Sequence, residues 1–194
     1  MNDTAKRSVV SGEVLRREDQ GPIAVLTLNR PEARNSLSEA LIAALTRAIE
    51  EIGASGSARA IVITGAGSAF SSGHDLKELT AHRSDPDRGR AFFDKTLKAC
   101  SEMMLSIVRC PKPVIAAVNG IATAAGCQLV ATCDLAVASA DARFATPGVN
   151  IGLFCSTPMV ALSRNLLRKA AMEMLLLGEM VGAQDAKEIG RAHV

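Results

Sequence analysis

Two glycine-bearing turns in this chain place backbone N–H groups where a negative charge can bind. The first lies in residues 69–79 (AFSSGHDLKEL) and the second in residues 117–128 (AVNGIATAAGCQ). Each turn follows an apolar run and leads into a helical pattern, and the first N–H groups of a helix have no intrahelical acceptor. Such donors bind anions, and a pair of them can stabilise the oxyanion of a reacting carbonyl group. Asp75 and Glu78 have the spacing of a capping box, which predicts that a helix begins after Asp75.

The elements that carry these turns alternate between strands and helices, which predicts the α/β fold class. The predicted strands are 23–28, 60–64, 114–118 and 135–138. One helix is predicted to begin at a capping box formed by Ser36 and Glu39 and to end at Gly53. Further helices are predicted over 91–109, from an N-cap at Thr157 with Pro158 as first residue, and up to Gly178.

Both turns, with residues 134–139 (DLAVAS) and 144–149 (FATPGV), resemble the enoyl-CoA hydratase/isomerase (crotonase) family. The likeness runs from about residue 23 to about residue 186, and residues 70–79 and 152–158 (GLFCSTP) favour one branch of that family. No single motif is diagnostic, but their order and spacing together are specific. The resemblance implies the ClpP/crotonase fold, a right-handed spiral of β-β-α units, whereas periodicity alone predicts only α/β.

The resemblance also implies that the substrate is an acyl-CoA thioester. The family's two oxyanion donors correspond to the backbone N–H groups of His74 and Ala125, and loss of one such donor typically costs about 3 kcal/mol of transition-state stabilisation. The side chains of Arg34 and Lys77 can pair with CoA phosphates, although each residue taken singly is more typical of a solvated surface charge. The positions that match substrate contacts in the family are Ala33, Arg34, His74, Asp75, Leu76, Lys77, Ala124 and Gly126.

Two positions that hold catalytic glutamates in family hydratases are occupied by Gln128 and Gly148. Glutamine cannot exchange a proton near neutral pH and glycine has no side chain, so ordinary enoyl-CoA hydration is expected to be poor. Restoring both carboxylates is expected to raise it. Ser156 falls at the register where dienoyl-CoA isomerases place an aspartate, but its hydroxyl would need a neighbouring base that the sequence does not supply.

Other catalytic classes find little support in the sequence. Cys127 and Cys155 are expected to be inert core thiols, and five cysteines without a CxxC pair favour a reduced compartment. The three histidines lack metal-ligand spacing, so no metal is expected, and no cofactor beyond the CoA of the substrate. Residues 61–67 (IVITGAG) begin like a dinucleotide fingerprint but lack its third glycine. No GxSxG elbow is present.

The composition excludes several partners. A net charge of +2, with neither Trp nor Tyr, gives no basis for nucleic-acid binding. The apolar segment 114–140 is interrupted by Asn119, Gln128 and Asp134, which favours a buried strand–helix–strand unit over a membrane span. The polar start of the chain resembles neither a signal nor a transit peptide, so a cytoplasmic protein is expected.

Residues 1–188 are expected to form one domain from which the family's C-terminal helical region is missing. That region covers the acyl pocket and helps to assemble trimers, so a form that contains it is expected to be a homotrimer or hexamer. Residues 189–194 (IGRAHV) are what a common sequencing adapter encodes in frame, and read-through is the favoured origin. A natural terminus is the alternative, since Gly190 falls where the family often has glycine.

Two functions are therefore left open. The first is an enzyme of the lyase or isomerase type that acts on a fatty acyl-CoA or enoyl-CoA thioester through an oxyanion hole. The second is a non-catalytic acyl-CoA binder or assembly partner in fatty acid metabolism.

Overall fold

The computed structural model describes residues 13–189, and this part of the chain contains nine strands and seven α-helices. The strands are β1 (Leu15–Gln20), β2 (Ile23–Leu28), β3 (Ala60–Gly65), β4 (Ala69–Ser71), β5 (Val114–Val118), β6 (Ile121–Thr123), β7 (Leu135–Ala138), β8 (Arg143–Ala145) and β9 (Val181–Gly182). The helices are α1 (Glu39–Ala54), α2 (Leu76–Ala81), α3 (Arg90–Val108), α4 (Ala125–Thr132), α5 (Ser156–Asn165), α6 (Arg168–Leu177) and α7 (Ala183–Glu188).

The strands form two sheets, and from β3 to β8 consecutive strands of the chain alternate between them. One sheet has the order β1-β2-β3-β5-β7 and the other β4-β6-β8-β9. Within each sheet the strands are parallel except at the antiparallel pairs β1–β2 and β8–β9. The units β3-β4-α2 and β5-β6-α4 are thus β-β-α repeats, which confirms the spiral architecture that the resemblance implies.

The core lies between the larger sheet and the helices that cover it. Alternate residues of β3, such as Ile61 and Ile63, are fully buried, as the period-two pattern of a strand requires. On α1 the buried positions repeat with helical spacing: they are Leu41, Ile42, Leu45, Ile49 and Ile52. α4 is buried around almost its whole circumference and so lies inside the molecule with its first turn fixed in place.

The predicted strands and the predicted apolar face of α1 are confirmed, and every strand end agrees to within one residue. Segment 114–140 folds as β5-β6-α4-β7, in agreement with the predicted strand–helix–strand unit. No helix within residues 13–189 combines the length and the apolar character needed to cross a membrane.

Two predicted helix starts are wrong. The N-cap of α1 is Ser38, whose hydroxyl accepts from the Leu41 N–H at 3.2 Å, because Ser36 instead donates its hydroxyl to Asp75. α5 begins at Ser156, ahead of the predicted start at Thr157 and Pro158, and Cys155 lies at its N-cap.

Candidate active site

The first glycine-bearing turn connects β4 to α2 and packs directly on the second turn. Gly73 has a φ of +92°, and a Cβ at this position would lie 2.9 Å from the Ala124 Cβ and 3.2 Å from the Ala125 nitrogen. Only glycine fits both the conformation and the space. The Thr123 hydroxyl also donates to the Ser72 carbonyl at 3.1 Å. The two turns that the sequence singles out therefore meet in the folded chain.

His74 lies in this turn with its backbone N–H free of internal bonds. A parallel bridge joins it to Leu37: the Leu37 N–H donates to the Gly73 carbonyl at 2.7 Å, and the Asp75 N–H donates to the Leu37 carbonyl at 3.2 Å. His74 lies between these two bonded residues, Gly73 and Asp75, so its own N–H is directed away from Leu37. Among residues 13–189 no acceptor is found for the His74 N–H, which makes it available to a ligand.

The second turn ends in Ala124 and presents the first N–H of α4. Ala124 has φ 49° and ψ −120°, a combination that L-residues rarely adopt, and its N–H donates to the Ala145 carbonyl at 3.0 Å. Ala125 is the first residue of α4, so its N–H has no intrahelical acceptor. A Cβ on Gly126 would lie 2.2 Å from the Ser71 carbonyl oxygen. Gly126 is thus required for the packing of α4 on β4.

The segment before α1 braces the first turn. Asp75 accepts hydrogen bonds from the Arg30 guanidinium at 2.8 Å and from the Ser36 hydroxyl at 3.0 Å. Its other oxygen caps α2 by accepting from the Lys77 and Glu78 N–H groups. The cap predicted at Asp75 is confirmed, but its carboxylate is fully engaged inside the protein.

The predicted capping box at the start of α2 is only half right. The Glu78 carboxylate accepts from the Glu39 N–H at 3.0 Å and so ties α2 to the start of α1. A box would instead require Glu78 to reach back to the N–H of Asp75.

Asn35 adds a second brace that sequence reasoning overlooks. Its side-chain amide donates to the carbonyls of Ala66 and Ala69 at 2.9 and 2.7 Å, and its carbonyl oxygen accepts from the Arg30 N–H at 2.8 Å. The Ser71 hydroxyl donates to the Asn35 backbone carbonyl at 2.9 Å. Asn35 is fully buried, and its positive φ of 52° is a conformation that Asn tolerates. The only sequence signal for this role is the asparagine itself, a residue common in turns, four positions after Pro31.

The imidazole of His74 is partly buried. Burial lowers the pKa of its imidazole below the ordinary value, which favours the neutral ring. Its buried Nδ1 has no hydrogen-bond partner among the described residues.

Gln128 lines a cavity of about 250 Å³ between α3, α4 and α5. Its side chain is 7% exposed, and its Oε1 has no hydrogen-bond partner in the described chain. The described residues that line this cavity include neither a carboxylate nor an imidazole: they are Ser101, Met104, Leu105, Val108, Gln128, Thr132, Thr157, Val160, Ala161, Arg164 and Asn165.

Gly148 and Ser156 do not line this cavity. A Cβ on Gly148 would lie 2.4 Å from the Leu153 carbonyl oxygen and 2.8 Å from the Cys155 Sγ. A glutamate cannot be introduced there without displacing backbone, so the expectation that restoring both carboxylates raises hydration is not supported by this packing. Ser156 is exposed at the start of α5, and burial raises the pKa of the Cys155 thiol, which favours the inert thiol form.

Three of the positions matched to substrate contacts lie on the surface beside the first turn, and they are Arg34, Leu76 and Lys77, whereas Asp75 and Gly126 are buried. Arg34 and Lys77 are exposed, and neither forms an ion pair within residues 13–189. The Arg34 carbonyl accepts from the Ser72 N–H at 3.0 Å, which fixes this segment to the turn. Leu76 is 68% exposed and Ala33 is half-buried. Across the described chain no cluster of three His, Cys, Asp or Glu side chains is arranged to hold a metal ion.

A family model described as enoyl-CoA hydratase/isomerase matches residues 18–192. The mitochondrial enoyl-CoA hydratase domain-containing protein 3 of Rattus norvegicus is 50% identical over 171 residues, which are 88% of this chain and 55% of the relative. The chain therefore spans about half the length of the curated relatives of this name that it matches.

Solved structures agree with the sequence match. An enoyl-CoA hydratase of Mycobacterium smegmatis superposes with a TM-score of 0.85 at 55% identity and covers 92% of this chain and 68% of the other. The human enoyl Coenzyme A hydratase domain-containing protein 3 superposes with a TM-score of 0.86 at 47% identity, with 92% and 69% covered. These likenesses agree with the predicted family and with the branch that residues 70–79 and 152–158 favour.

Proposed function

Because the chain belongs to the enoyl-CoA hydratase/isomerase family, we propose that it binds an acyl-CoA thioester with the carbonyl oxygen between the N–H groups of His74 and Ala125. The observation that carries this proposal is the meeting of the two turns, with neither N–H paired inside the described chain. Exposed Arg34 and Lys77 beside the first turn supply positive charge for the CoA phosphates.

The chemistry supported by two such donors is stabilisation of an enolate. As charge moves onto the thioester oxygen, both hydrogen bonds strengthen, and the N-terminal end of the α4 dipole adds to their effect. A lyase or isomerase reaction on an enoyl-CoA or fatty acyl-CoA also needs a group that moves a proton. Gln128 and Gly148 cannot do so, because an amide does not exchange a proton near neutral pH and glycine has no side chain.

A second candidate, a non-catalytic acyl-CoA binder or assembly partner in fatty acid metabolism, is favoured by the composition of the cavity beside α4. Its described lining contains no carboxylate or imidazole. Turnover of a panel of acyl-CoA thioesters separates the two candidates, because a binder retains affinity for the thioesters and converts none of them.

The oxyanion role is tested by replacing Ala125 with proline. Proline is accepted as the first residue of a helix but has no N–H, so Ala125→Pro removes the donor. Because Ala125 is only 3% exposed, circular dichroism and thermal unfolding first establish that the variant folds. Calorimetric titration with butyryl-CoA should show affinity at least about tenfold lower. The matched control is Arg168→Pro, which makes the same change at the exposed first residue of α6. Equal affinity of Ala125→Pro and the unaltered chain would overturn the proposal.

Assembly is proposed from the family. A homotrimer or hexamer is supported by large apolar side chains on the surface, among them Leu167 and Leu176, and light scattering measures it directly. The cytoplasmic location stays a prediction: the relative from Rattus norvegicus is named as mitochondrial, and residues 1–12 lie outside the described part of the chain, as do residues 190–194. The origin of residues 189–194 from a sequencing adapter likewise stays a prediction. Ile189, the one residue of this segment that the structure describes, packs against the core.

A further inference from the structure

The imidazole of His74 is the one base of the first turn that the described residues leave without a partner. Asp75 is held by the Arg30 guanidinium, and Glu78 accepts from a backbone N–H of α1. Lys77 carries a proton at neutral pH and so cannot accept another. The His74 Nδ1 is buried without a partner, whereas Nε2, which also has no partner within residues 13–189, is not buried. A substrate bound at this turn therefore meets an imidazole that can react at Nε2.

The position of this ring is set by the backbone N–H of the same residue. In the proposed complex the His74 N–H holds the thioester oxygen, and the imidazole is attached to the same Cα as that N–H. The α-carbon of the acyl chain is bonded to the carbonyl carbon that carries this oxygen, so it lies within one side-chain length of the ring. No hydrogen bond, ion pair or ring contact among the described residues holds the ring in another direction. One residue can thus supply both an oxyanion donor and a base.

His74 is also in the protonation state that a base needs. Burial lowers the pKa of its imidazole, so the ring is neutral at pH 7. In the tautomer with the proton on Nδ1, the lone pair is on Nε2. The neighbouring carboxylate of Asp75 is paired with Arg30 at 2.8 Å, so it does little to stabilise an imidazolium before a substrate binds. Once the proton has moved, the enolate supplies the counter-charge.

We propose that His74 is a general base that removes an α-proton from a bound acyl thioester, an inference that rests on the proposed binding of acyl-CoA. Nε2 forms a bond to the proton as the α C–H bond breaks, and the electron pair of that bond becomes a carbon–carbon double bond. The π electrons of the carbonyl group move onto its oxygen, where the N–H groups of His74 and Ala125 stabilise the enolate. Return of a proton from the imidazolium to the α-carbon restores the thioester, so no co-reactant is consumed.

This step is distinct from the hydration of an enoyl chain. Hydration needs one group that activates water and another that delivers a proton to the α-carbon. A neutral imidazole accepts a proton at Nε2 but has none to deliver there, so His74 alone supports exchange of the α-proton and not hydration.

Exchange of the α-protons of butyryl-CoA in deuterium oxide isolates this step. The imidazolium exchanges its proton with solvent, because the ring is partly exposed, and returns a deuteron to the α-carbon, which mass spectrometry detects. The unaltered chain should exchange at least about 100-fold faster than His74→Ala. Calorimetric titration should give both proteins a similar affinity for butyryl-CoA, since the substitution keeps the backbone N–H. The matched control is His82→Ala, which removes an imidazole that stacks on Phe92 and pairs with Asp85, and it should retain the exchange.

Two further readouts separate a base from a ring that only supports the turn. The exchange rate should rise with pH as the His74 imidazole loses its proton, and it should level off above a pKa that burial places below the ordinary value of about 6.5. Free imidazole added to His74→Ala should restore part of the lost exchange, because it can occupy the space of the missing ring.

Failure of this inference and failure of the proposed function give different results. If butyryl-CoA does not bind the unaltered chain, the proposed function fails. If it binds without exchange, or if the exchange survives in His74→Ala, acyl-CoA binding stands and the role of His74 as a base is overturned. The pH profile of the unaltered chain remains decisive if circular dichroism shows that His74→Ala does not fold. An exchange rate that keeps rising above the pKa of an imidazole would then exclude His74 as the base.

Discussion

The guanidinium of Arg30 and the carboxylate of Asp75 lie 2.8 Å apart and join segments separated by 45 residues in sequence. Their side chains are only 19% and 7% exposed. Because Asp75 follows His74 directly and caps α2, this ion pair connects the strand end after β2 to the turn that presents the His74 N–H. The orientation of that backbone donor is thus fixed by residues far from it in sequence.

Breaking the ion pair should therefore destabilise the fold. Arg30→Met leaves a buried carboxylate without its counter-charge, which typically costs about 3–5 kcal/mol. Urea unfolding at neutral pH measures the loss. Arg17→Met is the matched control, since Arg17 pairs with Asp19 at the surface and such pairs contribute about 1 kcal/mol or less. Equal unfolding free energies for the two variants would show that the buried pair contributes no more to stability than the surface pair.

Lowering the pH should remove the contribution of the Asp75 carboxylate to the stability of the fold. Burial raises the pKa of Asp75, but the hydrogen bonds from Arg30, Ser36 and two backbone N–H groups outweigh it, and the pKa lies below the ordinary value. A carboxyl with a lowered folded pKa stabilises the protein above the unfolded pKa, about 3.9 for Asp, and this effect disappears as the pH falls through the folded pKa. Asp75→Asn should be less stable than the unaltered chain at pH 7, and the difference should shrink below about pH 4. Urea unfolding at several pH values measures this difference in stability. A difference that does not change with pH would contradict the lowered pKa of Asp75.

The sequence predicts the long elements well because their periodicity is strong. β2, β3, β5 and β7 are each apolar on at least one face, and α1 shows a clear helical stripe. The sequence does not predict the second sheet, because β4, β6 and β8 have three residues each, which is too few to show an alternation of apolar and polar residues.

The backbone donors of the site could be placed by resemblance, but the braces behind them could not. Ser36 has the sequence context of an N-cap, and only the fold brings it within 3.0 Å of Asp75. The steric restriction at Gly148 likewise depends on Leu153 and Cys155, which fold back onto it through a turn that local propensity does not determine.

Ala124→Gly should stabilise the protein. At φ 49° and ψ −120° an alanine carries strain of about 1–3 kcal/mol, and glycine relieves it at an entropic cost of about 0.5–1 kcal/mol. A net gain of about 1 kcal/mol is expected, seen as a higher melting temperature. Ala43→Gly, at an exposed position inside α1, should change stability in the opposite direction by a similar amount. A loss of stability in Ala124→Gly would mean that the turn conformation is not strained.

Gly148→Ala should be destabilising by about 1–3 kcal/mol, because the added methyl group meets the Leu153 carbonyl oxygen and the Cys155 sulfur. Gly56→Ala serves as the control, since a Cβ there meets nothing within 4 Å. Thermal unfolding followed by circular dichroism compares the two. If both are tolerated equally, the turn at Gly148 can open, and a carboxylate at this position becomes feasible again.

Hydration of crotonyl-CoA should be close to the uncatalysed rate although the thioester binds. Acid–base groups typically contribute about 10²–10⁴-fold each, and neither Gln128 nor Gly148 supplies one. Loss of the enoyl-thioester absorbance measures the rate.

Gln128→Glu should give little gain in this hydration rate, because a carboxyl in this buried position has a raised pKa and lacks a second group to accept or supply the other proton. Titration with butyryl-CoA controls for binding in both proteins. Efficient hydration by the unaltered chain would show that another residue carries the proton, and would favour the enzymatic candidate over the binder.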